Sequence, residues 1–268
     1  MTRENCHVKA AWGHLARIIL LLLLSAASLQ LYFLGRVALM SAVDPQSTTF
    51  QRSEAWRLLT EKHQLLWSQR WIGYERISPN LKRAVIASED AGFSDHSGVE
   101  WDAIEKAWGR NQKAEARTEK INARLERRAV APGKNTPAKA PVHIEAKVVG
   151  GSTITQQLAK NLFLGSERHL LRKAQEFAIT FMLETLLSKQ RILEIYLNSV
   201  EWGEGVFGAE AASRHYFRVP ASSLGVAQAA QLAVMLPAPK RFEKKPGSAY
   251  VVGRAGTVAA RMGAVTLP

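Results

Sequence analysis

Three short segments hold the residue types that could do chemistry. The first is Glu89-Asp90-Ala91-Gly92-Phe93-Ser94-Asp95-His96-Ser97-Gly98. Two adjacent carboxylates close an apolar stretch, with an aromatic ring and an imidazole a few residues on. A Glu at a helix end beside apolar residues loses part of its solvation, which raises its pKa toward neutrality and suits it to general-base work. The second segment is Gly150-Gly151-Ser152-Thr153-Ile154-Thr155-Gln156-Gln157-Leu158-Ala159-Lys160-Asn161. Ser152 stands where a helix cap belongs. At helical spacing Thr153, Gln157, Lys160 and Asn161 share one face. Hydroxyl, amide and ammonium groups on one face are poor core material and suit hydrogen bonding to sugar or phosphate, and a helix N-terminus favours an anion. The third segment is Arg168-His169-Leu170-Leu171-Arg172-Lys173-Ala174-Gln175-Glu176. It offers a cationic cluster with a second carboxylate one turn on; a plain ion pair at that spacing is the alternative reading.

Other chemistries lack their residues. No H-E-x-x-H, G-x-S-x-G or S-x-x-K occurs, and the seven histidines are scattered, so zinc and acyl-serine sites have no basis. Gly203-Glu204-Gly205-Val206-Phe207-Gly208 matches the dinucleotide pattern literally. The segment before it reads as helix rather than strand, and no acidic residue stands about 20 positions beyond for a ribose contact. A tight turn with close backbone approach is the expected role.

The elements that must position these groups read mainly as helices. Ser78-Pro79 is a helix start, with Ser at the cap and Pro at the first position. Further helices are expected over 153–164, 170–187, 192–197, 209–217, 226–236 and 250–262, and strand signals are few. Glu184, Glu194, Tyr196 and Asn198 are expected to hold helices together rather than touch substrate. Residues 105–128 read as a highly charged exposed helix and 131–142 as a Pro-containing loop. From Glu105 to Lys147 the net charge is +6, which fits either a solvated face or a lid or lipid-contacting patch.

At the N-terminus 18 uncharged residues, Ile18 to Gly35, lie between Arg17 and Arg36. As a helix they cover roughly 27 Å, close to a bilayer core. A cleaved signal peptide is the rival, since Ser25-Ala26-Ala27-Ser28 offers small residues; but apolar sequence resumes at Leu29, which favours an uncleaved anchor. Arg3, Lys9 and Arg17 precede the span, so a cytoplasmic N-terminus and an exported remainder are expected. The expected division is a cytoplasmic tail over 1–16, a transmembrane anchor over 17–40, a connector over 41–74 with Trp56, Trp67 and Trp71 as packing anchors, and one helical domain over 75–268.

The 268 residues suffice for one sizeable domain. With 47% hydrophobic and 22% charged residues the chain is not disordered as a whole, and its single Cys excludes an internal disulfide scaffold. The net charge of +13 calls for an anionic partner. About +10 of it falls on the part expected to be exported, where nucleic acid is not a partner.

Taken together, Glu89-Asp90-x-x-Phe93-x-x-His96-x-Gly98, Gly151-Ser152-Thr153-Ile154-Thr155-Gln156-Gln157-Leu158-x-Lys160-Asn161 and Arg172-Lys173-x-x-Glu176 resemble the peptidoglycan glycosyltransferases, glycosyltransferase family fifty-one. Ile192-Leu193-Glu194-x-Tyr196-Leu197-Asn198 and Gly205-Val206-x-Gly208-x-x-Ala211-Ala212-x-x-Tyr216-Phe217 follow in the family order, and the likeness runs from about Glu75 to Met262. It is greatest to the monofunctional branch, with an anchor, one domain and no transpeptidase. The resemblance implies a mainly α, lysozyme-like glycosyltransferase domain behind one transmembrane helix. It implies a membrane enzyme of the bacterial cytoplasmic (inner) membrane that polymerises lipid II, with the nascent glycan strand as donor. By resemblance Glu89 is the base and Glu176 the second family carboxylate. Lys160, Arg168, Arg172 and Lys173 would meet the pyrophosphate. Asp90, Phe93, His96, Ser152, Thr153, Gln156, Gln157 and Asn161 complete the implied substrate site, Asp90 and His96 also bracing the first motif around a packed Phe93. No cofactor is required by such chemistry; a divalent cation, Mg or Mn, near the pyrophosphate is compatible with it. Membrane lipid and other cell wall synthesis or division proteins are the further partners the resemblance implies. Two rivals share these features: a lysozyme-like muralytic enzyme, and an inactive membrane-tethered glycan-binding protein.

Overall fold

The computed structural model describes residues 4–130, 144–145, 151–165 and 169–268. The loop expected over 131–142 and the cation Arg168 lie outside them. The first helix, α1, runs from Glu4 to Leu39. Its segment Trp12–Leu39 is 28 residues long with a mean hydropathy of 2.2, long and apolar enough to cross a membrane. Leu20 to Leu24 project into open space, whereas Phe33, Val37 and Met40 at the far end are buried against the domain. Phe33 meets Phe163 edge-on with ring centroids 5.2 Å apart. Gln30, the amide in the apolar run, forms a reciprocal pair with Gln175 at 2.7 and 3.1 Å.

The expected connector contains a helix, α2, Thr49–Lys62. Its polar sequence has little amphipathic periodicity, and capping and ion pairs hold it instead. Thr48 and Gln51 form a reciprocal capping box, Gln51 donates to the Ser199 carbonyl at 3.1 Å, and Arg57 joins Glu54, Glu61 and Glu204, each at 2.9 Å. The three expected tryptophan anchors divide. Trp71 packs on the core, Trp67 is partly exposed with its ring 4.9 Å from Phe207, and Trp56 is 68% exposed and anchors nothing.

Ser78 caps α3, Pro79–Glu89, with Pro at its first turn as expected. Leu81, Ala84, Val85, Ile86 and Ala87 are buried. A fully buried aliphatic side chain contributes about 1.5–3 kcal/mol, so this face fixes where the helix ends and hence where Glu89 stands. The charged helix α4 spans Trp101–Val130. Then come α5, Ile154–Phe163; α6, Leu170–Leu186; α7, Lys189–Ser199; α8, Ala209–Phe217; α9, Val226–Met235; the single turn α10, Pro239–Phe242; and α11, Ala249–Arg261. In one layer α3 packs on α9 and α9 on α11; in the other α5 packs on α6 and α7, and α6 carries the end of α1. Tyr196, Trp202, Phe93 and Phe207 are among the largest fully buried side chains. The fold is mainly α, as read from sequence.

Among the described residues the strands are three short pieces: β1, Ser68–Gln69, parallel to β3, Val206–Phe207, which is antiparallel to β2, Glu201–Gly203. The G-x-G-x-x-G run therefore forms the β2–β3 turn and the entry to α8. Gly205 sits at φ +72°, and a Cβ there would lie 2.3 Å from the Leu66 carbonyl oxygen. Because the obstacle is backbone, Gly205→Ala is expected to destabilise the fold by roughly 2 kcal/mol or more. Thermal unfolding in detergent checks this; an unchanged midpoint would contradict the packing described.

Candidate active site

The end of α3 and the start of α5 meet around Asp90. One Asp90 oxygen accepts the Ile154 N–H at 2.9 Å, a donor that the first turn of α5 leaves unpaired. The other lies 2.8 Å from His96 Nε2. His96 Nδ1 accepts the Gly98 N–H at 3.1 Å, which assigns the proton to Nε2 and makes it the donor to Asp90. The Thr153 hydroxyl donates to the Gly98 carbonyl at 2.6 Å and accepts the Gln156 N–H. Thr153, not Ser152, is the cap of α5. Phe93 is fully buried, with Lys189 Nζ 4.6 Å from its ring centre. Asp90 and His96 brace the first motif around packed Phe93 as expected, and with Thr153 they lock it to the second motif; none of the four is among the residues lining the adjacent cleft. Gly151 of the second motif lies against α4, where a Cβ would come within 3.1 Å of the Ala103 carbonyl oxygen.

Beside this brace is a cleft of about 890 Å³. It gathers Glu89, Ser152, Gln156, Gln157, Lys160, Asn161, Arg172, Lys173 and Glu176 from α3, α6 and α5 with the residues leading into it. Nine of the positions singled out in the sequence thus share one wall-to-wall space. Glu89 Oε2 accepts from Gln157 Nε2 at 3.1 Å, and Ser88 Oγ lies 3.4 Å from Oε1. Burial raises the Glu89 pKa above the ordinary carboxylate value; the bonds from Gln157 and Ser88 oppose the shift, and the Asp90 charge adds to it. A carboxylate so placed is a stronger base than one in water.

At the cationic end Arg172 Nη1 lies 3.2 Å from Glu176 Oε2, and Lys173 Nζ is paired with Oε1. Glu176 is buried, so it fixes both cations while leaving the pair a net positive charge. Arg172 Nε and Gln156 Nε2 are buried donors without a hydrogen-bond partner among the described residues, and both side chains belong to the cleft wall. Unpaired buried donors are costly in a resting protein and are available to an anionic or carbonyl-bearing ligand. Exposed Lys160 stands on the same wall.

Part of the cleft was not legible in the sequence. Phe50, Ser53 and Glu54 reach it from α2, and Val200, Glu201, Leu236, Pro237 and Pro239 close the far end. Lys240 pairs with Glu54 and lies 3.7 Å from Glu201. Burial pushes Glu201 up to about 7, with Lys240 opposing. Between pH 4.5 and about 7 the folded chain therefore holds a proton that the unfolded chain has released, so stability falls as pH rises through that window. Glu201→Gln is expected to lessen that fall, by at most about 3 kcal/mol at pH 8. Thermal unfolding from pH 5 to 8 reads it, and parallel curves for the two proteins would contradict it.

At the pyrophosphate end each Glu176 oxygen is engaged by one cation, Arg172 or Lys173. Among the described residues, Asp90, His96 and Glu100 have ligand atoms close enough together to hold a metal. Both His96 nitrogens and both Asp90 oxygens are already hydrogen-bonded, so that group is a structural brace.

The chain matches the family model described as "Transglycosylase" over residues 59–120 and 137–263, and it belongs to that family. It is 53% identical over 249 residues to a protein of Cupriavidus pinatubonensis named "Biosynthetic peptidoglycan transglycosylase", covering 90% of this chain and 86% of that one. A protein of Burkholderia vietnamiensis with the same name is 50% identical over 239 residues, 89% of this chain and 85% of its own. The relative from Paraburkholderia phytofirmans is 49% identical over the same length.

Proposed function

We propose that the chain is a peptidoglycan glycosyltransferase that extends glycan strands in cell wall synthesis. It transfers the growing glycan from its polyprenyl pyrophosphate to the 4-hydroxyl of lipid II. The observation that carries this reading is the shared cleft: a desolvated carboxylate, Glu89, stands in one space with Lys160, Arg172 and Lys173. Glu89 takes the proton of the acceptor hydroxyl. The hydroxyl oxygen bonds to the donor anomeric carbon as the bond from that carbon to the pyrophosphate oxygen breaks, and the electron pair leaves with the pyrophosphate. The donor link is α and the product β(1→4), so one inverting displacement suffices and one base is needed. The leaving group departs without a proton because Arg172, Lys173 and Lys160 meet its charge. Glu176 orients those cations rather than attacking carbon.

The same reading gives the rest of the chain its place. The helix over Trp12–Leu39 anchors the enzyme in the cytoplasmic membrane with its N-terminus inside and the catalytic domain outside. Cations assigned neither to chemistry nor to ion pairs within the fold hold the domain near the anionic bilayer surface that carries its substrate.

A muralytic enzyme would also present a Glu in a helical fold, but cleavage of a neutral sugar link has no use for the cationic end. Purified full-length chain incubated with labelled lipid II, and separately with finished sacculi, distinguishes them. Glycan strands from the first and no soluble fragments from the second are expected; the reverse would overturn the proposal.

A further inference from the structure

The hydrogen bond that Glu89 accepts depends on which end of the Gln157 amide faces it, because one end donates and the other only accepts. Nothing on α3 sets that orientation. Tyr196 does, from α7: its hydroxyl donates to Gln157 Oε1 at 2.9 Å, which turns Nε2 toward Glu89 at 3.1 Å. Tyr196 is buried, and Gln157 is the sole hydrogen-bond partner of its hydroxyl among the described residues. If the amide flipped, Nε2 would point to the phenol oxygen and the phenol proton would lose its acceptor in a buried site, at a cost. The carbonyl end would meanwhile meet the Glu89 carboxylate, which then has to be protonated.

We infer that Tyr196 is a positioning residue for the reaction: through Gln157 it holds a donor toward Glu89, keeping that carboxyl ionised and aimed into the cleft. The inference rests on the proposal that Glu89 is the base. Burial and the charges of Glu89 and Asp90 push the Tyr196 pKa well above its usual value, so the phenol remains a donor throughout the working range. Asp90 and Ser88 flank Glu89 on its own segment, Gln157 faces it from α5 and Tyr196 from α7. Lys160, Arg172, Lys173, Glu176, Glu54 and Glu201 share the cleft. These other groups are common to all the variants below, so their influence cancels in the comparison.

The test is the pH dependence of kcat/KM for polymerisation of lipid II by the full chain in detergent. The wild type is expected to show an acid limb above the ordinary carboxylate range. Tyr196→Phe keeps the ring and its packing, and is expected to move that limb to higher pH by roughly half to one unit. Gln157→Leu is expected to move it at least as far, and Tyr196→Phe to add nothing further in that background. A Tyr196 that only packed would lower the rate evenly across pH and leave the limb in place, which would overturn the inference. The Glu89→Gln variant separates the two layers. Its residual activity is expected to be flat across the acid range, whereas an acid limb surviving in it would overturn the base assignment itself.

Discussion

Glu89→Gln is expected to fold, bind lipid II and fail to polymerise it. The amide has the size of the carboxylate and accepts the same bond from Gln157, so the wall of the cleft is undisturbed. What it lacks is a proton acceptor basic enough for the acceptor hydroxyl. Loss of one general base costs about 10²–10⁴-fold. Here the partial burial that strengthens the base also keeps water from replacing it, which places the effect at the upper end. The loss should fall on kcat, with lipid II binding retained, because the interaction is used in the transition state rather than the ground state. Polymerisation of labelled lipid II near the wild-type rate by this variant would remove Glu89 from the mechanism.

The second large effect is expected at Arg172, where two explanations predict different double variants. If Arg172 meets the leaving pyrophosphate, Arg172→Ala should lower the polymerisation rate by roughly 10²–10³-fold. If it only neutralises buried Glu176, the same loss would arise from a buried charge left with Lys173 as its one remaining ion-pair partner among the described residues. Adding Glu176→Gln removes that charge. The leaving-group role predicts that Arg172→Ala with Glu176→Gln stays slow, whereas the neutralising role predicts recovery toward the rate of Glu176→Gln alone. Arg172 Nε, which has no partner among the described residues, favours the first outcome, because the ion pair with Glu176 leaves that donor unused. Rates of all four proteins at one salt concentration decide between them.

The sequence was most informative where a local rule acts alone. Ser78-Pro79 marked the start of α3, and the apolar spacing after it marked the buried face that ends at Glu89. The wall of the cleft that holds Glu89 was legible because chemistry restricts the residue types there: Glu89, Gln157, Lys160, Arg172 and Glu176 share one space, as their motifs implied. The direction in which a side chain points was less legible. Helical spacing placed Thr153 on the face of Gln157, yet Thr153 is the cap, with φ −72° and ψ 166°, and lies outside the helical periodicity. The bracing role of Asp90 and His96 was expected, but their partners, the Ile154 and Gly98 amides, appear only when the loop closes. The helix α2 escaped notice because capping and ion pairs hold it, with only Gln51 and Leu58 buried. Glu54 and Glu201 escaped with it, since neither stands in a chemically marked pattern and only folding brings them beside Lys240.

The charge of +13 is divided in the same way. A few cations, Lys160, Arg172 and Lys173, stand in the cleft. Others, such as Arg57 and Arg191, are spent on ion pairs that fix α2 and α7. Net charge alone signalled an anionic partner, but only the fold assigns which cations face it.

The central claim is a single displacement with pyrophosphate as leaving group, and the linkage made in a limited turnover of lipid II tests it most directly. Nuclear magnetic resonance of the isolated product, with the released polyprenyl pyrophosphate counted against new links, is the measurement. The account predicts β(1→4) links only, one polyprenyl pyrophosphate released for each, and no anhydro ends. Retained α links, or cleaved glycan with no polyprenyl pyrophosphate released, would contradict it.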